Sequence, residues 1–226
     1  MRGRLVPVLL TAAAVALGVA ALVIRPGTQP PAKTADHVVL AGAPGLRWDD
    51  VDPVNTPTLW RMAERGSIGS LSVRSATRPT CPIDGWLTLG AGNFAAWDDV
   101  AEDDGCRPLE VAVEQPDGVS GNLPEQRSMV SYNQQKLRWG SVPGTLAESV
   151  RCTVAVGPGA AVAAARPFGR VDRYAPTLPP DPAKLLASCA LSVIDLGTVD
   201  GTDPAVRAAA ARRADAELAR VLAARP

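Results

Sequence analysis

The hydrophobic pattern divides the chain into two unequal parts. Leu5 to Ile24 (LVPVLLTAAAVALGVAALVI) runs for about twenty residues without a charge and without an amphipathic stripe. At about 1.5 Å per residue, a helix of that length just spans a hydrocarbon core of roughly 30 Å. Arg2 and Arg4 precede it, which favours a cytoplasmic N-terminus and an exported remainder. Arg25, Pro26 and Gly27 end the run, and Gly27 to Thr34 (GTQPPAKT) is a Pro-rich spacer. The reading is a signal-anchor over residues 1–26, a linker over 27–36 and an extracytoplasmic domain over 37–226. A small-x-small site at Gly18-Val19-Ala20 supports the alternative of a cleaved signal and a secreted domain.

From residue 37 the pattern changes to short apolar runs alternating with helical spacings. His37 to Ala41 (HVVLA), bounded by Gly42 and Gly45, reads as a buried parallel strand. Thr56 reads as an N-cap with Pro57 at N1, and Leu59, Met62 and Ala63 place an apolar face on a helix that Gly66 closes. Ile68 to Val73 reads as the next strand. Pro82 and Asp84 open a helix over Gly85 to Leu89, and Ala101 to Tyr132 reads as an acidic surface insertion. Thr145–Val150 is a predicted helix, and Thr153–Val156 and Ala190–Leu196 are predicted strands. Asp203 caps a last helix whose stripe is Val206, Ala210, Ala214, Leu218, Val221 and Leu222. Arg207, Arg213, Glu217 and Arg220 fall mainly on its solvent side. Apolar strands alternating with helices predict an α/β fold with a largely parallel sheet and flanking helices, preceded by one transmembrane helix.

Composition narrows the function. The chain has 23 basic and 23 acidic residues. A nucleic-acid binder would show a basic excess, so none is expected. Setting aside Arg2, Arg4 and Arg25 leaves the exported part mildly acidic, which argues against electrostatic adhesion to anionic lipid. The expected membrane contact is the N-terminal helix itself. There is one histidine, His37, read as a surface or edge residue; most zinc-dependent hydrolytic sites draw on several.

Four cysteines, Cys81, Cys106, Cys152 and Cys189, form an even set in an exported chain and favour two disulfides. Three connectivities are open, and the sequential one, Cys81–Cys106 with Cys152–Cys189, is the one expected. There is no C-x-x-C, and no His in the segment of Cys81 to make it a nucleophile.

Three stretches invite a chemical reading. The first is Ala41 to Asp50, after the first strand; open parallel sheets place their sites at the carboxyl ends of strands. The second is Arg78 to Gly92, with Thr80 near the start of a helix. The third is Asp195 to Asp200, closing the late strand. Asp49, Asp50 and Asp52 read as a solvated loop with capping duty. Asp98, Asp99, Asp103 and Asp104 lack calcium-loop spacing and read as a surface acidic loop. Gly157-Pro158-Gly159 follows a strand but lacks the third glycine of a dinucleotide loop, and Pro158 removes an N–H.

Taken together, Val38–Asp50, Thr56–Gly66, Pro79–Gly92 and, more weakly, Asp215–Ala223 (DAELARVLA) resemble the alkaline-phosphatase-like superfamily. That group includes nucleotide pyrophosphatase/phosphodiesterases and, more distantly, sulfatases. The resemblance implies an α/β core and phosphate-type ester chemistry at a two-metal site. Its nucleophile position falls on Thr80. Its first metal-ligand Asp falls on Pro44, which has no ligand atom in its side chain. Asp195 and Asp200 are not followed by the expected His, and the chain ends at Pro226, where the resemblance places its late metal-binding strand. The resemblance therefore implies a degenerate, C-terminally incomplete domain with a vestigial Thr80, no metal and no cofactor. The expected role is non-catalytic, in the cell envelope, with an envelope protein as partner. The alternatives are a metal-dependent phosphoesterase that uses Thr80, with Asp49 or Asp195 substituting for Pro44, and a module that binds a small ligand in the strand-end crevice.

Overall fold

A computed structural model of the chain describes residues 35–69, 71, 74–78, 80–97, 106 and 109–224. The predicted anchor, most of the linker and the acidic residues Asp98, Asp99, Asp103 and Asp104 lie outside the described residues. Among those described, no helix is long and apolar enough to cross a membrane.

The central sheet has four strands: β1 (Val38–Gly42), β3 (Thr153–Val156), β5 (Arg173–Ala175) and β6 (Leu191–Asp195). Their order is β1-β6-β3-β5, and every pairing is parallel. A separate antiparallel pair joins β2 (Gly121–Asn122) to β4 (Arg170–Val171). The α/β class and the parallel sheet are as the alternation predicts. β3 and most of β6 are buried on both faces, which explains their unbroken β-branched and apolar runs. β1 differs from expectation. It is an edge strand bonded only to β6, and Val38 at its start is 47% exposed.

Seven helices flank the sheet among the described residues. They are α1 (Pro57–Arg65), α2 (Pro82–Ala91), α3 (Gln126–Gln135), α4 (Thr145–Val150), α5 (Pro158–Ala164), α6 (Ala183–Leu186) and α7 (Pro204–Ala223). One sheet face packs against α2 and α5. There Trp86 and Leu87 meet Ala155, Ala160 to Ala164, Leu191 and Val193. α5 is built only of Pro, Gly, Ala and Val, and its Gly159 to Ala164 are all buried. Small side chains let helices approach closely: a Cβ on Gly90 of α2 would lie 2.6 Å from the Ala163 carbonyl oxygen of α5. The other face packs Val154, Val156 and Ile194 against Leu186 of α6 and Val221 of α7.

Both expected disulfides form. Cys81–Cys106 has a Cα–Cα separation of 5.2 Å and Cys152–Cys189 one of 5.1 Å. The second joins the residue before β3 to a residue just before β6, tying the amino ends of two neighbouring strands.

Several expectations require correction. Ile68, Gly69 and Leu71 form no strand, and Ile68 and Leu71 are largely exposed; without a partner strand their β-propensity finds nothing to pack against. The insertion ends earlier than expected, because residues 126–132 belong to α3. This helix is anchored by buried Asn133, whose side chain bonds Ala96 through both N–H and C=O. Gly66 closes α1 in an extended conformation, not a left-handed one. Thr56 gives α1 no side-chain cap; its hydroxyl instead accepts from the Asp52 N–H at 2.8 Å. The carboxylate that receives an α1 N–H comes from Asp215 of α7, which accepts from Leu59 N at 2.7 Å. On α7, Val206 is exposed and Arg207 buried, the reverse of the helical-wheel reading.

Candidate functional site

The carboxyl ends of β1, β3 and β6 bring together the loops that the sequence singled out. In the β1–β6 register Gly42 pairs with Asp195. The loop after β1 and the loop after β6 are bonded to each other, with Val199 N donating to Pro44 O at 2.8 Å.

Asp50 ends a single 3-10 turn, Trp48–Asp50. Its carboxylate receives the Arg207 guanidinium through Nε and Nη2, and the Arg47 N–H at 2.8 Å. Arg207 also donates to Val199 O at 3.0 Å and Gly45 O at 3.1 Å. One buried side chain therefore ties the β1 loop, the β6 loop and α7. Burial alone would raise the Asp50 carboxyl, but the Arg207 hydrogen bond, the Arg47 N–H and the two guanidinium charges together hold it below its ordinary value. The solvated-loop expectation fails for Asp50 and holds for its neighbours. Asp49 is exposed. Asp52 accepts the N–H groups of Val54 and Asn55, each at 2.8 Å, and so folds the turn before α1.

Thr80 is half-buried and precedes Cys81, which is the residue that caps α2. The Thr80 hydroxyl has no hydrogen-bond partner among the described residues, so no base is positioned to activate it. In the same stretch, buried Asp84 accepts the Thr77 hydroxyl at 2.6 Å and the Trp97 N–H at 2.8 Å, so one oxygen holds the segment before α2 and the other the loop that follows it.

Asp195 is the exception among these carboxylates. It ends β6 on the face covered by α2 and α5. Its Oδ2 accepts Gly159 N and its Oδ1 accepts Gly197 N, each at 2.9 Å. Burial pushes its carboxyl up, and the two N–H groups only partly offset that. Burial and, after it, the charge of Asp195 push the Tyr174 phenol up as well, which places the two groups in one environment. Trp86, 5% exposed, packs its ring against Gly42 and Gly159, and a Cβ at either glycine would collide with it. Its Nε1 is buried and has no acceptor among the described residues. Sequence reading marked Asp195 and missed Trp86 and Tyr174. The available signal was Gly42 and Gly159, small residues at strand ends that leave room for a large ring from elsewhere.

These residues do not fit the two-metal set that the resemblance implies. Pro44 offers no side-chain ligand. Asp50 is bonded by a guanidinium, Asp84 holds two loop segments, and His37 lies at the amino end of β1, away from the carboxyl ends, with Nδ1 donating to Cys189 O at 3.1 Å. Among the described residues no group of three or more His, Cys, Asp or Glu could hold a metal ion. No protein family, curated protein or solved structure matches the chain.

Proposed function

We propose that this is a membrane-anchored, extracytoplasmic α/β protein, a degenerate relative of the alkaline-phosphatase-like hydrolases with a non-catalytic role in the cell envelope. The observation that carries the reading is the use made of the strand-end carboxylates. Asp50 and Asp84, which flank the nucleophile position in sequence, are spent on an ion pair and on loop anchoring, and among the described residues no base is bonded to Thr80. Two disulfides support an oxidising compartment, and the uncharged run Leu5–Ile24 supports the anchor.

The test combines location and chemistry. The full chain should fractionate with membranes, with its domain open to protease added from outside the cell. Purified protein should give no metal-dependent hydrolysis of p-nitrophenyl phosphate or its diester above background. Metal-dependent turnover that disappears in Thr80→Ala would overturn the reading in favour of a phosphoesterase.

A second reading is favoured by Asp195: the strand-end crevice binds a small ligand. Among the described residues a half-buried carboxylate with no paired cation lies beside a buried N–H donor without an acceptor, two polar groups that a bound molecule would satisfy. A thermal-shift panel of cationic, anionic and neutral small molecules tests it, and a panel in which nothing shifts the transition would remove it.

A further inference from the structure

The four parallel strands all start at one end of the sheet, at Val38, Thr153, Arg173 and Leu191. The loops at the opposite, carboxyl end are acidic: Asp49, Asp200 and Asp203 are exposed there, against Arg47. The amino end is basic. Arg151 lies two residues before β3, Arg170 opens β4 and Arg173 opens β5, and all three are exposed, against Asp36. The carboxylates of Asp172 and Glu148 at that end are held by Arg166, at 3.1 and 3.3 Å. Arg170 also stands 3.7 Å from Asp172, yet its side chain is 68% exposed. A net charge near zero hides this segregation, because residue counts carry no positions.

Phe168 stands within the basic end. The turn from Arg166 to Arg170 closes through Arg166 N donating to Arg170 O and Gly169 N donating to Arg166 O, each at 2.8 Å. Gly169 has a φ of +101°, and a Cβ there would collide with the Leu123 carbonyl oxygen, so the turn is pinned against its neighbour. Phe168 at its tip is 69% exposed. A single exposed apolar residue is ordinary, but this ring is held out from the core by a fixed turn with an arginine on either side. A second pairing of arginine with an aromatic ring borders the turn. Arg138 lies 4.5 Å over the Trp139 ring, and the same loop runs on to Gly144, where a Cβ would lie 2.6 Å from Pro167 N.

The part of the chain that precedes the described domain indicates what covers this face. The uncharged run Leu5–Ile24 reads as a membrane anchor, and the chain enters the domain at Ala35, just ahead of the amino end of β1. The roughly ten residues between the run and β1 extend no more than about 35 Å. The anchor is therefore tied by a short link to the basic end of the sheet. Anionic headgroups attract arginine near the bilayer surface, and aromatic rings settle at headgroup level.

We propose that the amino end of the sheet is a lipid-docking face: Phe168 inserts at the headgroup boundary, and Arg151, Arg170 and Arg173 pair with the phosphates of anionic lipid. That orientation turns the acidic carboxyl end away from the bilayer. This proposal rests on the membrane-anchored reading above.

The test is amide hydrogen exchange of the full chain in lipid nanodiscs, one set of phosphatidylcholine and one of phosphatidylcholine mixed with phosphatidylglycerol. Residues 166–173 should exchange about tenfold more slowly in the anionic discs, and residues 45–55 equally in both. Raised salt should weaken that slowing. Phe168→Ser and Arg173→Glu alter exposed side chains, and each should reduce the slowing about threefold. If a variant fails to fold, the two disc types and the salt series on the unaltered chain decide. Equal exchange in both discs, slowing at 45–55 in place of 166–173, or slowing undiminished in both folded variants overturns the proposal, while insertion into the discs leaves the anchored reading standing. The same slowing in detergent micelles assigns the face to contact between copies of the chain and overturns it as well. A chain that enters neither disc overturns the anchored reading and this proposal together.

Discussion

Asp50, in the loop after β1, and Asp195, the last residue of neighbouring β6, stand at the same edge of the parallel sheet, yet they have opposite fates. Asp50 is met by Arg207, which reaches back from α7, and by the Arg47 N–H. Among the described residues Asp195 is met only by backbone N–H groups, from Gly159 and Gly197. The Arg207 pair lowers the first carboxyl against its burial, whereas burial raises the second. Position in an α/β sheet therefore does not by itself make a strand-end carboxylate functional. The discriminating feature is whether the fold supplies its counter-charge. Where it does, the residue is a latch between loops; where it does not, the residue is available to something else.

The comparison is broken most severely by removing the latch. Arg207→Ala leaves Asp50 buried without its cation, and breaking a buried pair in this way should cost about 3–5 kcal/mol. Urea unfolding measures it; a loss below about 1 kcal/mol would mean that water already screens the pair. Gly159→Ala attacks the other side, because its Cβ would collide with Trp86 Nε1 and crowd Asp195. Overpacking of this kind should cost about 1–3 kcal/mol, and near-ultraviolet dichroism should show a displaced indole. A mutant as stable as the parent with an unchanged indole signal would show that the ring has room to move. Asp215→Ala removes the carboxylate that accepts the Leu59 N–H, and should cost about 1 kcal/mol, as lost helix caps do.

The smallest effect is in pH dependence, and its sign differs between the two carboxylates. Asp50 has a folded pKa below its unfolded one. Its contribution is fully present above the unfolded value of about 3.9 and is lost as pH falls through the lower folded value. Asp195 has a folded pKa above its unfolded one. The folded state then holds the proton longer, and stability falls as pH rises from about 4 through the raised value. Unfolding free energies across that range should therefore show less acid-side loss in Asp50→Asn, and less loss on raising the pH in Asp195→Asn. Two variants with the same slope change would remove the distinction between the sites.

Much of the scaffold was legible because its signals are local. The apolar runs at 38–41, 153–156 and 191–195 are strands, and Pro57, Pro82 and Pro204 each stand at the first position of a helix. Four cysteines predicted two disulfides, and the sequential pairing expected among the three open connectivities is the one that forms. The failures share a cause. Ile68, Gly69 and Leu71 have strand composition but no strand beside them. α5 is made of residues whose helical tendency is masked by Gly and Pro, and it is a helix because the sheet and α2 bury it. α3 sits in a polar stretch and is held by buried Asn133.

The sequence by itself determined the alternation of strands and helices, the even set of cysteines and the absence of a ligand at Pro44, because each follows from residue type and near-neighbour spacing. Only the tertiary structure decided that Arg207 is buried on Asp50, that Asp215 caps a helix some 150 residues earlier in the chain, and that Trp86 stands with an unused N–H beside Asp195. A helical wheel assigns a face, but the worth of a charge depends on which other charge the folded chain brings within reach. That distance is set by packing between segments far apart in sequence.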